Sequence, residues 1–170
     1  MSWTEAAAIP LVYSTVYGCL VEAGKLPFEP TPEERGKRSV LILGGSSGTG
    51  NVAIQLAKKM GLRVVTTCSE KNRDFVTSLC ADEVRLKIYD ARILARGSLL
   101  IQVLQVIDYR TENVVDRVLH SHHAPYAVIL DCVGGTDLFP HLEHLILDDP
   151  EAPHLGHYLT IVGDSKPRLS

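Results

Sequence analysis

The sequence predicts an α/β fold, a doubly wound parallel sheet of about five strands. Three observations point there. A short β-branched apolar run, SVLIL at 39–43, passes through a glycine-rich turn into a helix-spaced run that ends at Met60. Further strand-like runs at 62–69, 126–131 and 158–162 alternate with helical patterns. The run at 126–131 (YAVILD) is almost wholly apolar, as a strand covered on both faces must be.

Taken in order, residues 3–25 (WTEAAAIPLVYSTVYGCLVEAGK) open on a helix signal. Thr4 is the expected N-cap, with Glu5 and the alanines in the first turn. Pro10 is expected to break or kink that helix, since it lacks an N–H and its ring clashes with the preceding turn. A second helix then carries Val12, Val16 and Leu20 on one face, with Cys19 beside them, and ends at Gly24. Residues 26–37 (LPFEPTPEERGK), rich in Pro and Glu, read as a surface linker.

Ser39 to Leu43 is the first buried strand. After the turn, Val52, Ala53, Leu56, Ala57 and Met60 fall on one helical face, with Gln55, Lys58 and Lys59 between them. The second strand is 62–69 (LRVVTTCS), followed by a helix over 71–79 that Ser69 can cap. A third strand starts at 81–84 and looks to end at 106–110 (VIDYR); the residues between fit neither strand nor helix. Residues 111–121 read as a helix with Val114, Val115, Val118 and Leu119 inward. Beyond the fourth strand, Cys132-Val133-Gly134-Gly135 is a glycine exit, 137–147 a helix and 158–162 (YLTIV) the fifth strand, with Gly163 beyond.

Strand, tight glycine turn and helix make the first unit of a dinucleotide-binding fold. The unbonded N–H groups of a helix's first turn, with its partial positive charge, suit a pyrophosphate. The turn departs from G-x-G-x-x-G: aligned from Gly45 it reads Gly45-x-Ser47-x-x-Gly50. Aligned from Gly44 it reads Gly44-x-x-x-Gly48-x-Gly50, the spacing of short-chain dehydrogenases, but no Tyr in the chain has Lys four places on. No Gly-Lys-Ser/Thr follows, so a nucleotide-hydrolase phosphate loop is excluded. The bland alternative is a structural strand–helix corner.

Ligands of such sheets bind at the carboxyl ends of the strands. That selects Gly44–Gly50, Ser69, 131–135 and Gly163 as one rim. An acid ending the second strand would bond the ribose 2′-hydroxyl of NAD. Here the end reads Ser69-Glu70-Lys71-Asn72. Ser69 and Lys71 suit a 2′-phosphate, so NADP is favoured, while Glu70, an acid one place late, keeps NAD open.

The chain has 170 residues and a net charge of −3, which suits one domain with a sizeable core. Nothing global draws it to nucleic acid or to an anionic membrane. No apolar run approaches the ~18 residues of a membrane span, and no signal peptide stands at the start. Cys19, Cys68, Cys80 and Cys132 are scattered and read as small buried hydrophobes in a reducing compartment. The grouped histidines (120, 122 and 123; 141 and 144; 154 and 157) lack a Cys-x-x-Cys partner, so no metal is expected. Cys132 reads as a packed thiol rather than a nucleophile; Asp131 either lines a ligand channel or caps the next helix. Tyr13 and Tyr17, one helical turn apart, suit core packing better than a pocket.

The stretches AAAIPLVYSTVY, VLILGGSSGTGNVAIQLAKKMG, VVTTCSEKN, ADEV with VIDYR, and ILDCVGG, in this order and spacing, resemble the medium-chain dehydrogenase/reductase superfamily. Within it, the chain looks like the zinc-free quinone oxidoreductase and enoyl reductase branch. The resemblance implies a Rossmann-type cofactor domain, incomplete at its C-terminal end, that would act with NADPH in hydride transfer to a quinone or an activated C=C. It implies that Thr15 approaches the nicotinamide amide, and that Gly45, Ser46, Ser47, Gly48, Thr49 and Gly50 hold the pyrophosphate. Ser69, Lys71, Asn72 and Tyr109 would surround the 2′-phosphate. Asp131, Val133 and Gly134 would line the cofactor channel, with Val162 and Gly163 at the nicotinamide end.

Family members carry an N-terminal barrel-like domain that shapes the substrate pocket; this chain is expected to start after it and to be inactive alone. An inactive NADP-binding or interaction module, or a non-functional fragment, are the other classes considered. The expected partner is a small-molecule substrate, with a homodimer through the sheet edge left open. The expected compartment is the cytoplasm, or the mitochondrial matrix if a missing N-terminus carried a transit peptide.

Residues 84–105 form a suspected insertion. Without them Glu83 joins Val106 in an uninterrupted strand of family type. Every Val codon begins GT and a Gln codon can end AG, the boundary dinucleotides of an intron. The expectation is a translated retained intron; a natural loop insertion is the alternative.

Overall fold

The computed structural model describes residues 2–79, 105–148 and 156–162. The bulk of the suspected insertion, residues 84–104, and Gly163 lie outside them.

Five parallel strands form one sheet in the order β3-β2-β1-β4-β5. They are β1 (Ser39–Leu43), β2 (Arg63–Cys68), β3 (Gln105–Asp108), β4 (Val128–Asp131) and β5 (His157–Thr160). The register aligns Leu41 with Val65 on one side and with Ile129 on the other. The order reverses between β1 and β4, so the crossovers cover both faces.

Strand periodicity divides the core in two. Val40, Ile42, Val64, Val128 and Leu130 face one cluster; Leu41, Val65 and Ile129 face the other. The first cluster packs against α1 (Trp3–Tyr17) and α2 (Gly48–Lys59), where Val16, Ala53, Ile54 and Ala57 are fully buried. α3 (Arg73–Ser78) adds Val76 to it. The second cluster is covered by α4 (Val114–Leu119) through Val118 and α5 (Leu142–Leu145) through Leu145, with Leu138 from the segment between them.

Several local expectations change in the assembled fold. Pro10 does not break the first helix; α1 runs through it without interruption. Pro10 is exposed, so water can meet the carbonyl whose partner it lacks. The helix starts one residue before Thr4, with the Ala6 N–H donating to the Ser2 carbonyl at 2.9 Å. What was expected as a second helix continues from α1 as a π-helical turn, Gly18–Ala23. Gly24 closes it, its N–H donating to the Cys19 carbonyl.

The linker is anchored at both ends rather than lying loose on the surface. Leu26 is buried, Phe28 packs on Tyr17 with ring centroids 5.7 Å apart, and Gly36 N–H donates to Gly61 O at 2.7 Å. The helix expected over 71–79 is a 3-10 turn, Glu70–Asn72, followed by α3. The helix expected over 137–147 shrinks to a 3-10 turn, Phe139–His141, and the single turn of α5. Ile146 is pulled into an extended bridge beside Tyr126, which ends that helix early. The third strand is Gln105–Asp108, so Gln105, the last residue of the suspected insertion, stands in the ladder opposite Val65.

Candidate functional site

The site grows from the β1–α2 corner. Gly44 takes φ +81°, and a Cβ there would lie 2.4 Å from Val133 Cγ2. Gly44 N–H donates to Thr67 Oγ1 at 3.0 Å and Gly45 N–H to the Thr67 carbonyl at 2.8 Å, so the loop is held down on β2. A Cβ on Gly50 would stand 2.1 Å from the Gly44 carbonyl, so only glycine lets the loop cross the helix start here. The glycine turn proper is therefore Gly44 to Ser47, and α2 already begins at Gly48.

Ser47 is the N-cap of α2, its Oγ accepting from Gly50 N–H at 2.9 Å. The N–H groups of Gly48 and Thr49 belong to the first turn, which a helix cannot bond to itself. Asn72 ties the next strand exit to this loop: its Nδ2 donates to Ser46 Oγ at 3.1 Å and to Ser69 Oγ at 3.2 Å. Ser69, buried, makes no side-chain cap; its hydroxyl faces this network instead.

The β4 exit is shaped by Asp131, which is 1% exposed. Its Oδ1 accepts from Val133 N–H at 2.9 Å and Gly134 N–H at 2.8 Å, and its Oδ2 from the Tyr158 hydroxyl at 2.7 Å. Three donors thus hold the buried carboxylate and fold the turn over 131–134. Burial raises the Tyr158 hydroxyl's pKa, and its bond to Asp131 raises it further. Cys132 is pushed up to about 12, first by burial, then by the charges of Asp131 and Cys19; the Ser47 hydroxyl partly offsets this. Cys132 therefore stands as a neutral thiol.

These exits enclose a crevice of about 640 Å³ at the carboxyl ends of the strands. Of the expected residues, Ser46, Ser47, Tyr109, Asp131, Val133 and Gly134 line it. Gly45, Thr49 and Gly50 lie in the corner beneath, and Ser69 and Asn72 join through the bonds to Ser46. Lys71 is exposed beside Asn72 and does not line the crevice. Val162 packs at the mouth, 3.1 Å from where a Gly134 Cβ would stand. Thr15 is elsewhere: its hydroxyl donates to the Leu11 carbonyl at 2.9 Å along α1. Gly48 borders a separate groove between α1 and α2.

Sequence reasoning missed Thr67, Glu112, Asn113, Asp137 and Tyr158 on the crevice wall. Tyr158 carried a usable signal, a polar-tipped aromatic at the head of the fifth strand-like run, YLTIV. The corner suits a dinucleotide in that the Ser46 and Ser47 hydroxyls line the crevice, next to the first-turn amides of α2. The nearby Asp131 carboxylate is held by three donors of its own.

No protein-family model matches the chain. Its sequence is 37% identical to the trans-enoyl reductase himH of Aspergillus japonicus over 134 residues, 78% of this chain and 32% of that protein. It is 42% identical to the mitochondrial NAD(P)H oxidoreductase RTN4IP1 of Danio rerio over 131 residues, 77% of this chain and 27% of that protein. The Escherichia coli quinone oxidoreductase, solved in complex with NADPH, superposes with a TM-score of 0.60 at 22% identity, over 85% of this chain and 36% of that one. The chain thus spans about a third of the length of the curated relatives it matches. It resembles the enoyl reductases and NAD(P)H oxidoreductases of the medium-chain dehydrogenase/reductase superfamily, and it carries a Rossmann-type α/β fold like that of their cofactor-binding part.

Proposed function

We propose that this chain binds NADPH and forms the cofactor-binding unit of an oxidoreductase that reduces a quinone or an activated C=C by hydride transfer. One observation carries the reading: the loop at Gly44–Ser47, whose Ser47 caps α2, and the turn over 131–135 meet in one crevice, at the point where the strand order reverses. The first-turn amides of α2 and the Ser46 and Ser47 hydroxyls would receive the diphosphate. Asp131 would keep the turn at Val133 and Gly134 in shape beside it. Ser69, Asn72 and Lys71 favour a 2′-phosphate, by hydroxyl, amide and charge. When bound, the nicotinamide supplies the hydride, and the protein supplies orientation and a shielded cleft.

Free thiols at Cys19, Cys68 and Cys132 favour a reducing compartment such as the cytoplasm, though one relative's name places that protein in mitochondria. A homodimer through a sheet edge would use β3 or β5, the outer strands of the described sheet.

Thermal-shift titration tests the reading. At a hundred times Kd, NADPH should stabilise the chain by about 2.7 kcal/mol, and NADH should need a higher concentration for the same shift. No shift with either cofactor overturns it. Assays of NADPH consumption with quinone and enoyl substrates then test the reaction class.

A further inference from the structure

Glu70 stands two residues past the end of β2, in the region where a carboxylate bonds the ribose of NAD and repels the 2′-phosphate of NADP. The structure gives that carboxylate a partner. Arg73 Nε donates to Glu70 Oε2 at 2.7 Å. The same guanidinium places Nη2 3.9 Å from Glu112 Oε1, and its Nη1 donates to the Val106 carbonyl at 3.4 Å.

Glu112 is the carboxylate on the crevice wall just past β3. Its Oε1 also accepts from Asp108 N–H at 3.0 Å, and its Oε2 pairs with Arg117 Nε at 2.8 Å. Arg73 therefore stands between the exits of β2 and β3 and engages one acid just past each of them, Glu70 and Glu112. The side chains of Arg73 and Glu70 are 37% and 66% exposed. An ion pair that wet contributes little to folding. Its effect is felt instead by a charged ligand close by.

We propose that Arg73 is a positioning residue for cofactor choice: by holding Glu70 and offsetting Glu112, it leaves the β2 exit hospitable to a 2′-phosphate. The inference rests on the cofactor reading above. Loss of the guanidinium frees Glu70 to repel the 2′-phosphate, while NADH, which has none, loses nothing. A lysine keeps the charge but lacks the fork that reaches both acids.

The test measures Kd for NADPH and NADH on the whole chain, as wild type, Arg73→Gln, Arg73→Lys, Glu70→Gln and the Arg73→Gln/Glu70→Gln double variant. Arg73→Gln should weaken NADPH about tenfold, equivalent to about 1.4 kcal/mol, and change NADH less than about twofold. Arg73→Lys should retain part of the preference. The double variant should recover most of the NADPH loss, because the freed acid is gone. Glu70→Gln should leave NADPH binding equal or tighter, and it keeps the test alive if Arg73→Gln does not fold. Equal weakening of both cofactors, no recovery in the double variant, or weaker NADPH binding by Glu70→Gln overturns the proposal. A wild type that binds neither cofactor overturns the cofactor reading and this inference together. A wild type that binds NADPH while Arg73→Gln keeps its NADPH affinity overturns this inference alone.

Discussion

The Tyr158 hydroxyl, on the outer strand β5, donates to Asp131 Oδ2 at 2.7 Å, across 27 positions in sequence. It leaves the other carboxylate oxygen free for two backbone amides, and so ties β5 to the turn that walls the crevice. Tyr158→Phe should cost about 1–3 kcal/mol, the range for leaving a buried acceptor unsatisfied. Urea denaturation measures it, and a cost near zero would mean that water replaces the hydroxyl.

The base limb of stability should reflect Cys132. Its pKa is raised in the folded state to about 12 from an ordinary 9.0, so the folded chain binds this proton more tightly than the unfolded chain. The contribution is complete below about pH 9 and is lost as pH rises toward 12. Cys132→Ala should flatten the fall of melting temperature with pH in that window. An unchanged slope would locate the titration elsewhere.

Two glycines of one motif should respond in opposite ways. A Cβ at Gly48 meets nothing within 4 Å, whereas one at Gly50 meets the Gly44 carbonyl at 2.1 Å. Gly48→Ala should leave stability unchanged or raise it by up to about 1 kcal/mol. Gly50→Ala should lower it by about 1–3 kcal/mol, because backbone must move. Paired thermal melts decide.

Ser47→Ala removes the N-cap of α2 and should cost about 1 kcal/mol. Since Ser47 also lines the crevice, NADPH affinity should fall as well. Ser47→Asn, which can still cap, should recover the stability more fully than the affinity.

A chain lacking residues 84–105 joins Glu83 to Val106, with Glu83 taking the ladder position of Gln105 opposite Val65. It should bind NADPH with unchanged affinity if those residues are a translated intron. Transcript sequencing gives the direct answer: a dominant spliced form that keeps the corresponding bases removes the intron reading.

Four of the strands, the end of the third, the β1–α2 corner and the general location of the crevice can be read from the residues alone. These depend on local causes: β-branched apolar runs, side chains that alternate between faces, and glycine where a Cβ cannot fit, as at Gly50. The assembled fold was needed to see that α1 passes through Pro10, that the 137–147 helix stops at Leu145, and that Thr15 turns to Leu11. It alone also decided what the charged and polar groups do. Asp131 meets Tyr158, Asn72 bridges Ser46 to Ser69, and Arg73 reaches both Glu70 and Glu112. Apolar periodicity repeats along the chain and can be read there. Most of these polar partners lie on separate elements, and they meet only once the parallel sheet has brought the strand ends to one rim.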